Sequence, residues 1–168
     1  GEIRTSRVCL RWCRDENYFC DSWRGTWEND GGVINNQAIH HLDAYQWIMG
    51  MPNEVFTINK TNCQKIEAED TSLSLFVFEN GSLGSFEATT LAPKKDIEAC
   101  MDLMGSKGYI KLGGLSLNKI LDIDVVNKKD LIEKNSEDFE NGYGNGHKKI
   151  FEEIIKCIEH GLEYSIDL

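Results

Sequence analysis

No apolar run in the chain approaches the ~20 residues that a membrane-spanning helix needs, and the polar start Gly1-Glu2-Ile3-Arg4-Thr5 is no secretion signal. Both absences lead to the expectation of a soluble, cytoplasmic protein. Positive charge is scarce as well. With 18 Lys and Arg against 28 Asp and Glu, the formal charge is −10, which excludes an extended surface for nucleic acid or an anionic membrane, since either needs clustered cations. Anionic small molecules stay within reach of local basic residues. The six cysteines, Cys9, Cys13, Cys20, Cys63, Cys100 and Cys157, include no Cys-x-x-Cys pair and no regular framework spacing, so they read as reduced thiols. Cys9 and Cys13 fit two small hydrophobes on one face of a strand better than zinc ligands. The glycine fingerprint of a dinucleotide-binding turn is missing too. Gly142-Tyr143-Gly144-Asn145-Gly146 comes nearest, but its last glycine follows too soon and no apolar strand leads into it. Internal repeats and low-complexity segments are absent.

What the chain does have is 168 residues at 40% hydrophobic content, enough for one globular domain with a sizeable core. It is organised around Gly31 to Gly50, where Ile34, Ala38, Leu42, Tyr45 and Met49 recur at helical spacing between a glycine pair and Gly50 with Pro52 beyond. At about 100° per residue, Asn36, His40, Asp43 and Trp47 fall within a second stripe roughly 60° wide. An amide, an imidazole, a carboxylate and an indole on one line make a candidate site.

Around this helix the pattern is mostly β. Residues 2–14 alternate as a strand, and Asn17 to Asp30, with Tyr18, Phe19, Trp23 and Trp27, reads as an ordered aromatic loop that either covers the core edge or walls a ligand. A strand starts at Glu54; Thr71 to Glu79 turns back through Asn80-Gly81 into Ser82 to Thr90 as a hairpin; further strands follow over 97–104, 109–112 and 115–126. This predicts an antiparallel meander of about six strands including the first. Residues 127–146 read as a charged, glycine-rich surface loop. A last helix carries Phe151, Ile154, Ile155, Ile158 and Leu162 on one side. The class expected is α+β: an open, mostly antiparallel sheet with helices packed on one face.

The chemistry of the stripe is that of a proton-transfer site. His40 exchanges a proton near neutral pH, Asn36 one turn earlier can bond a substrate hydroxyl or fix the imidazole, and Asp43 one turn later can orient the ring. A structural histidine is the plain alternative. A metal site from His40, His41 and Asp43 is disfavoured, because adjacent helical histidines point about 100° apart and no third ligand stands at a suitable spacing.

Gly31-Gly32, then Asn36, His40 and Asp43, resembles the Gly-Gly-x-x-x-Asp/Asn-x-x-x-His-x-x-Asp signature of the glucose-fructose oxidoreductase, inositol dehydrogenase and rhizopine-catabolism (Gfo/Idh/MocA) family. The likeness extends to Trp23-Arg24-Gly25-Thr26-Trp27, Glu69-Asp70-Thr71, Asn80-Gly81-Ser82-Leu83-Gly84 and Gly146-His147, and so to nearly the whole chain. Within the family it is most similar to the branch that oxidises UDP-N-acetylglucosamine or its uronic acid at the sugar 3-hydroxyl. The resemblance implies that residues 1–168 are the carboxy-terminal, substrate-binding and oligomerisation domain of a two-domain dehydrogenase. NAD or NADP would be bound mainly by an amino-terminal Rossmann domain that carries a Glu-Lys-Pro lysine and is absent from this chain, which also stops short of the closing helix. This fragment alone is expected to be inactive. His40 would take or give the hydroxyl proton while hydride passes to the cofactor, Asn36 would position the sugar, and Asp43 would support the histidine. Arg24, Trp23, Trp27 and Gln37 are the candidate contacts to the sugar carboxylate or pyrophosphate. The expected partners are a sugar or nucleotide sugar and further copies of the chain through the sheet face, with no metal. A non-catalytic scaffold domain of the same family is the alternative.

Overall fold

The computed structural model describes residues 1–62, 65–139, 144 and 146–164; Cys63 and most of the Gly142 to Gly146 stretch lie outside them. Seven strands, β1 Ile3–Arg11, β2 Glu54–Lys60, β3 Thr71–Val77, β4 Leu83–Thr89, β5 Glu98–Gly105, β6 Tyr109–Gly113 and β7 Lys119–Ile123, form one open sheet in the order β2-β3-β4-β1-β5-β6-β7. Every neighbouring pair is antiparallel except β1 with β4. Among the described residues three α-helices accompany it: α1 Ile39–Met49, α2 Lys128–Asn135 and α3 Gly146–His160. The class is therefore α+β. Among the described residues no helix is long and apolar enough to cross a membrane.

The hairpin forms as its Asn80-Gly81 turn dictates, with Val77 opposite Leu83 and Thr71 opposite Thr89. The meander needs correcting. The described residues form seven strands, and β1 lies in the middle of the sheet, parallel to β4 and antiparallel to β5. The reason is burial on both faces: Val8, Cys9 and Leu10 are all within 1% of full burial, the mark of a central strand. Turn signals report only local pairing, so they could not show that two strands far along the chain close around the first.

A second correction concerns residues 127–146, read as a loop, where α2 occupies Lys128–Asn135. Its residues are mostly good helix formers, and Lys129 faces Glu133 across one turn. It buries no side chain, so it has no apolar stripe by which a sequence pattern could reveal it. The last helix forms where its periodicity placed it and belongs to a separate unit that begins at Glu137.

In the larger unit, Gly1–Ser136, α1 lies on one face of the sheet. Tyr45 packs its ring 5.8 Å from Phe76 and 6.0 Å from Phe78, and its hydroxyl meets Ser6 Oγ at 2.6 Å. The approach explains Gly84: a Cβ there would overlap the Tyr45 hydroxyl. Val8, Leu10, Phe86, Ala88, Ala99 and Met101 complete the core under the helix. Glu69-Asp70-Thr71 has a structural role beside it. Asp70, almost fully buried, accepts from the Asn62 N–H at 2.7 Å and the Thr71 hydroxyl at 3.1 Å, and so ties the connection between β2 and β3.

Candidate functional site

The central helix starts with a π-helical turn, Ile34–Ala38, that runs directly into α1. Just before it, Gly31 and Gly32 hold φ of 72° and 76°, a left-handed conformation that favours glycine. Gly32 is needed for a second reason. The Glu69 carboxylate lies where its Cβ would be, accepting the Ile34 N–H at 3.2 Å, while the Glu69 carbonyl accepts the Val33 N–H at 2.8 Å. One buried carboxylate thus fills the amino-terminal end of the helix. A dinucleotide pyrophosphate does not fit there, because the position that would cradle it is occupied by an acidic side chain.

The aromatic loop closes on the first turn of the helix. Tyr18 donates its hydroxyl to Asn36 Oδ1 at 2.9 Å and accepts from Gln37 Nε2 at 2.8 Å. Asn36 Nδ2 donates to Asp30, whose other oxygen accepts the Gly25 N–H at 2.6 Å, and Gln37 Nε2 also lies on Asn36 Oδ1. Arg24 packs its guanidinium 4.5 Å from the Tyr18 ring and 4.7 Å from Trp23, with Nη1 on Asp21 at 2.5 Å. Arg14 sits 5.4 Å from the same Tyr18 ring and 5.0 Å from Trp12. Of the expected site residues, Asn36, Gln37 and Arg24 therefore converge on Tyr18, and Trp23 joins them through Arg24. Trp27 stays exposed in the loop outside these contacts.

His40 is exposed and has no hydrogen bond or ion pair among the described residues, so nothing joins it to Asn36 or to Asp43, which is also exposed. The expected single stripe is thereby divided. Asn36 is drawn into the loop network, whereas His40 and Asp43 face solvent and Trp47 is 84% exposed. The π turn is the physical cause: an i→i+5 turn carries an extra residue, and a wheel drawn at a constant 100° loses register across it. His41 points the other way, into the core. It is 4% exposed, meets Trp12 edge-on at 5.6 Å, and has neither ring nitrogen in a well-formed hydrogen bond among the described residues. Desolvation first, and then the nearby His40, lower its pKa from 6.5 to about 4, against a weaker opposing influence of the Leu115 backbone.

Tyr18, Asp30, Glu69 and Arg14 were not among the expected site residues. Signals for two of them exist in hindsight: Asp30 directly precedes the glycine pair, and Tyr18 opens the aromatic loop. Glu69 and Arg14 reach the site only through the fold.

Among the known structures similar to this chain are two WlbA dehydrogenases with 30% sequence identity or more. The WlbA dehydrogenase from Bordetella pertussis, in complex with NADH and UDP-GlcNAcA, is 30% identical with a TM-score of 0.87, covering 98% of this chain and 49% of that one. The WlbA dehydrogenase from Chromobacterium violaceum, in complex with the same two molecules, is 31% identical with a TM-score of 0.81, covering 94% and 45%. A levoglucosan dehydrogenase in complex with NADH and levoglucosan shares the fold at 20% identity and a TM-score of 0.71. The chain thus spans about half the length of the structures it matches. No curated protein sequence matches it. The profile of the GFO/IDH/MocA C-terminal domain matches residues 1–111, and the chain belongs to that family.

Proposed function

We propose that the chain is the substrate-binding domain of an NAD(P)-dependent, cytoplasmic dehydrogenase that oxidises the 3-hydroxyl of a UDP-amino sugar or its uronic acid. The observation that carries the reading is the match, over nearly the whole chain, to two dehydrogenases crystallised with both NADH and UDP-GlcNAcA. The cofactor would come mainly from an amino-terminal domain, in keeping with Glu69 filling the helix end where a phosphate would otherwise sit. When bound, the nicotinamide supplies the hydride acceptor. The work of this chain is then positioning and proton transfer. His40 is free to take the hydroxyl proton on a ring nitrogen, since no hydrogen bond or ion pair among the described residues occupies it. Asn36 holds its amide in a fixed orientation through Tyr18 and Asp30 and orients the sugar from there. Gln37, Arg24, Trp23 and Trp27 form the substrate wall, and Asp43 lies one turn from His40, where it can orient the imidazole.

The test is kinetic and needs the full-length enzyme. His40→Ala should lower kcat by ~10²–10⁴ with cofactor affinity nearly unchanged, the usual contribution of a positioned acid–base group. His40→Ala with unchanged kcat and a native-like melting curve would remove the histidine from the mechanism and leave the scaffold reading.

A further inference from the structure

We propose that the cleft between the start of the aromatic loop and the Lys94-Lys95 segment is an anion subsite that holds the diphosphate of the nucleotide portion of the substrate. Cys13, Arg14, Asp15, Tyr18, Lys94 and Asp96 contribute to its wall, with Lys95 beside them, and its volume is about 380 Å³, within the range of small-ligand clefts.

Charge is the first argument. In a chain of formal charge −10, this cleft brings Arg14, Lys94 and Lys95 to one place. Its two acidic residues are already engaged: Asp15 accepts the Tyr18 N–H at 3.1 Å and the Asn17 amide at 3.5 Å, and Asp96 accepts the Cys13 N–H at 2.7 Å and Arg14 Nη1 at 3.2 Å. Lys94 and Lys95 are exposed and have neither a hydrogen bond nor an ion pair among the described residues. The cations are therefore only partly neutralised.

Preorganisation is the second. Arg14 is held between the Trp12 and Tyr18 rings, and its Nη1 is fixed by Asp96 and by the Cys13 carbonyl at 2.7 Å. Its Nη2 and Nε make no other bond among the described residues, so a planar two-donor edge is offered at little ordering cost. Three cations suit a diphosphate better than a single carboxylate. The position is also right for a nucleotide sugar, because Tyr18 forms a wall of this cleft and on its hydroxyl side bonds Asn36 and Gln37. A diphosphate beside Arg14 would leave the sugar directed toward Asn36.

The assignment of the anion to a sugar nucleotide rests on the proposed function, whereas the cation site stands on the cleft itself, and the test separates them. Titrate the protein with uridine diphosphate, inorganic pyrophosphate and glucuronate by calorimetry, then repeat with the Lys94→Gln/Lys95→Gln double variant, whose changes lie on exposed side chains. Binding of uridine diphosphate and pyrophosphate should weaken about tenfold or more and lose most of its salt dependence, while glucuronate binding changes little. In the full-length enzyme the same variant should raise KM for the nucleotide sugar far more than it lowers kcat. Uridine diphosphate binding that is equal in wild type and variant overturns the subsite, and so does a loss confined to glucuronate, which would make it a carboxylate site. If the lysine dependence of diphosphate binding holds but the full-length enzyme oxidises no nucleotide sugar, the subsite stands and the proposed substrate falls.

Discussion

Replacing His41 by leucine isolates one buried titration. In the folded chain the His41 pKa is lowered from 6.5 to about 4 by burial. Between those values the unfolded chain binds the proton and the folded chain does not, so stability is full above pH 6.5 and falls as pH drops toward 4. The whole interval corresponds to roughly 3 kcal/mol, and the part lost between pH 7 and pH 5 to about 2 kcal/mol. Urea denaturation at a series of pH values reads this directly: at a slope of ~2 kcal/mol per molar, the wild-type midpoint should fall by about 1 M from this residue alone. Carboxylates titrate in the same range, so the informative quantity is the difference between proteins. His41→Leu keeps the apolar contact with Trp12 and removes the ionisable ring, and its midpoint should be less sensitive to pH by that amount. Parallel pH profiles for the two proteins would refute the assignment of a neutral, desolvated His41.

Gly32→Ala should destabilise by about 2–4 kcal/mol, combining a left-handed alanine with displacement of Glu69 from the Ile34 N–H, while Gly81→Ala in the hairpin turn, at a similar φ but with nothing within 4 Å, should cost only ~1–2 kcal/mol. Equal losses, read from denaturation midpoints, would mean that the Glu69 contact contributes nothing. For self-association, light scattering at tens of micromolar should show an oligomer that Leu75→Glu shifts to monomer, since Leu75 is 58% exposed in the middle of an apolar strand face; a strictly monomeric wild type counts against it.

How much of this was legible beforehand depended on the range of the interactions. Hairpin and helix were readable because their signals are local: Asn80-Gly81 specifies its own turn, and Phe151 to Leu162 carry their own period. The position of β1 was not, because its burial on both faces depends on β4 and β5, which join it only in the folded sheet. The glycine pair marked the helix start correctly, but its full reason lay in Glu69, which arrives from the far side of β2. For the same reason the wheel projection joined Asn36 and His40 on one line. Only the fold reveals the π turn between them and the pull of Tyr18 and Asp30 on Asn36.

The sheet face opposite α1 shows how the same strands could serve a second copy of the chain. Along its centre, Arg11 pairs in a two-pronged way with Glu87, at 2.5 and 2.7 Å, and reaches Glu98 at 3.3 Å, while Arg7 bridges Glu98 and Asp102 at 3.3 and 3.2 Å. These pairs are partly exposed, so each is a weak stabiliser of the fold. Their value to association would be different: two guanidiniums against three carboxylates leave one net negative charge on the ladder, so a two-fold copy laid against it would meet modest rather than strong repulsion. Cys9 lies under the ladder beside Cys100, and burial with the nearby Glu87 and Glu98 pushes its thiol up to about 12, so it remains a neutral packing group. Toward β2 and β3 the face becomes apolar, with Phe56, Ile58, Leu73 and Leu75 all at least half exposed. Contact there would supply the driving force, and the largely paired ladder would fix the register while opposing it only weakly.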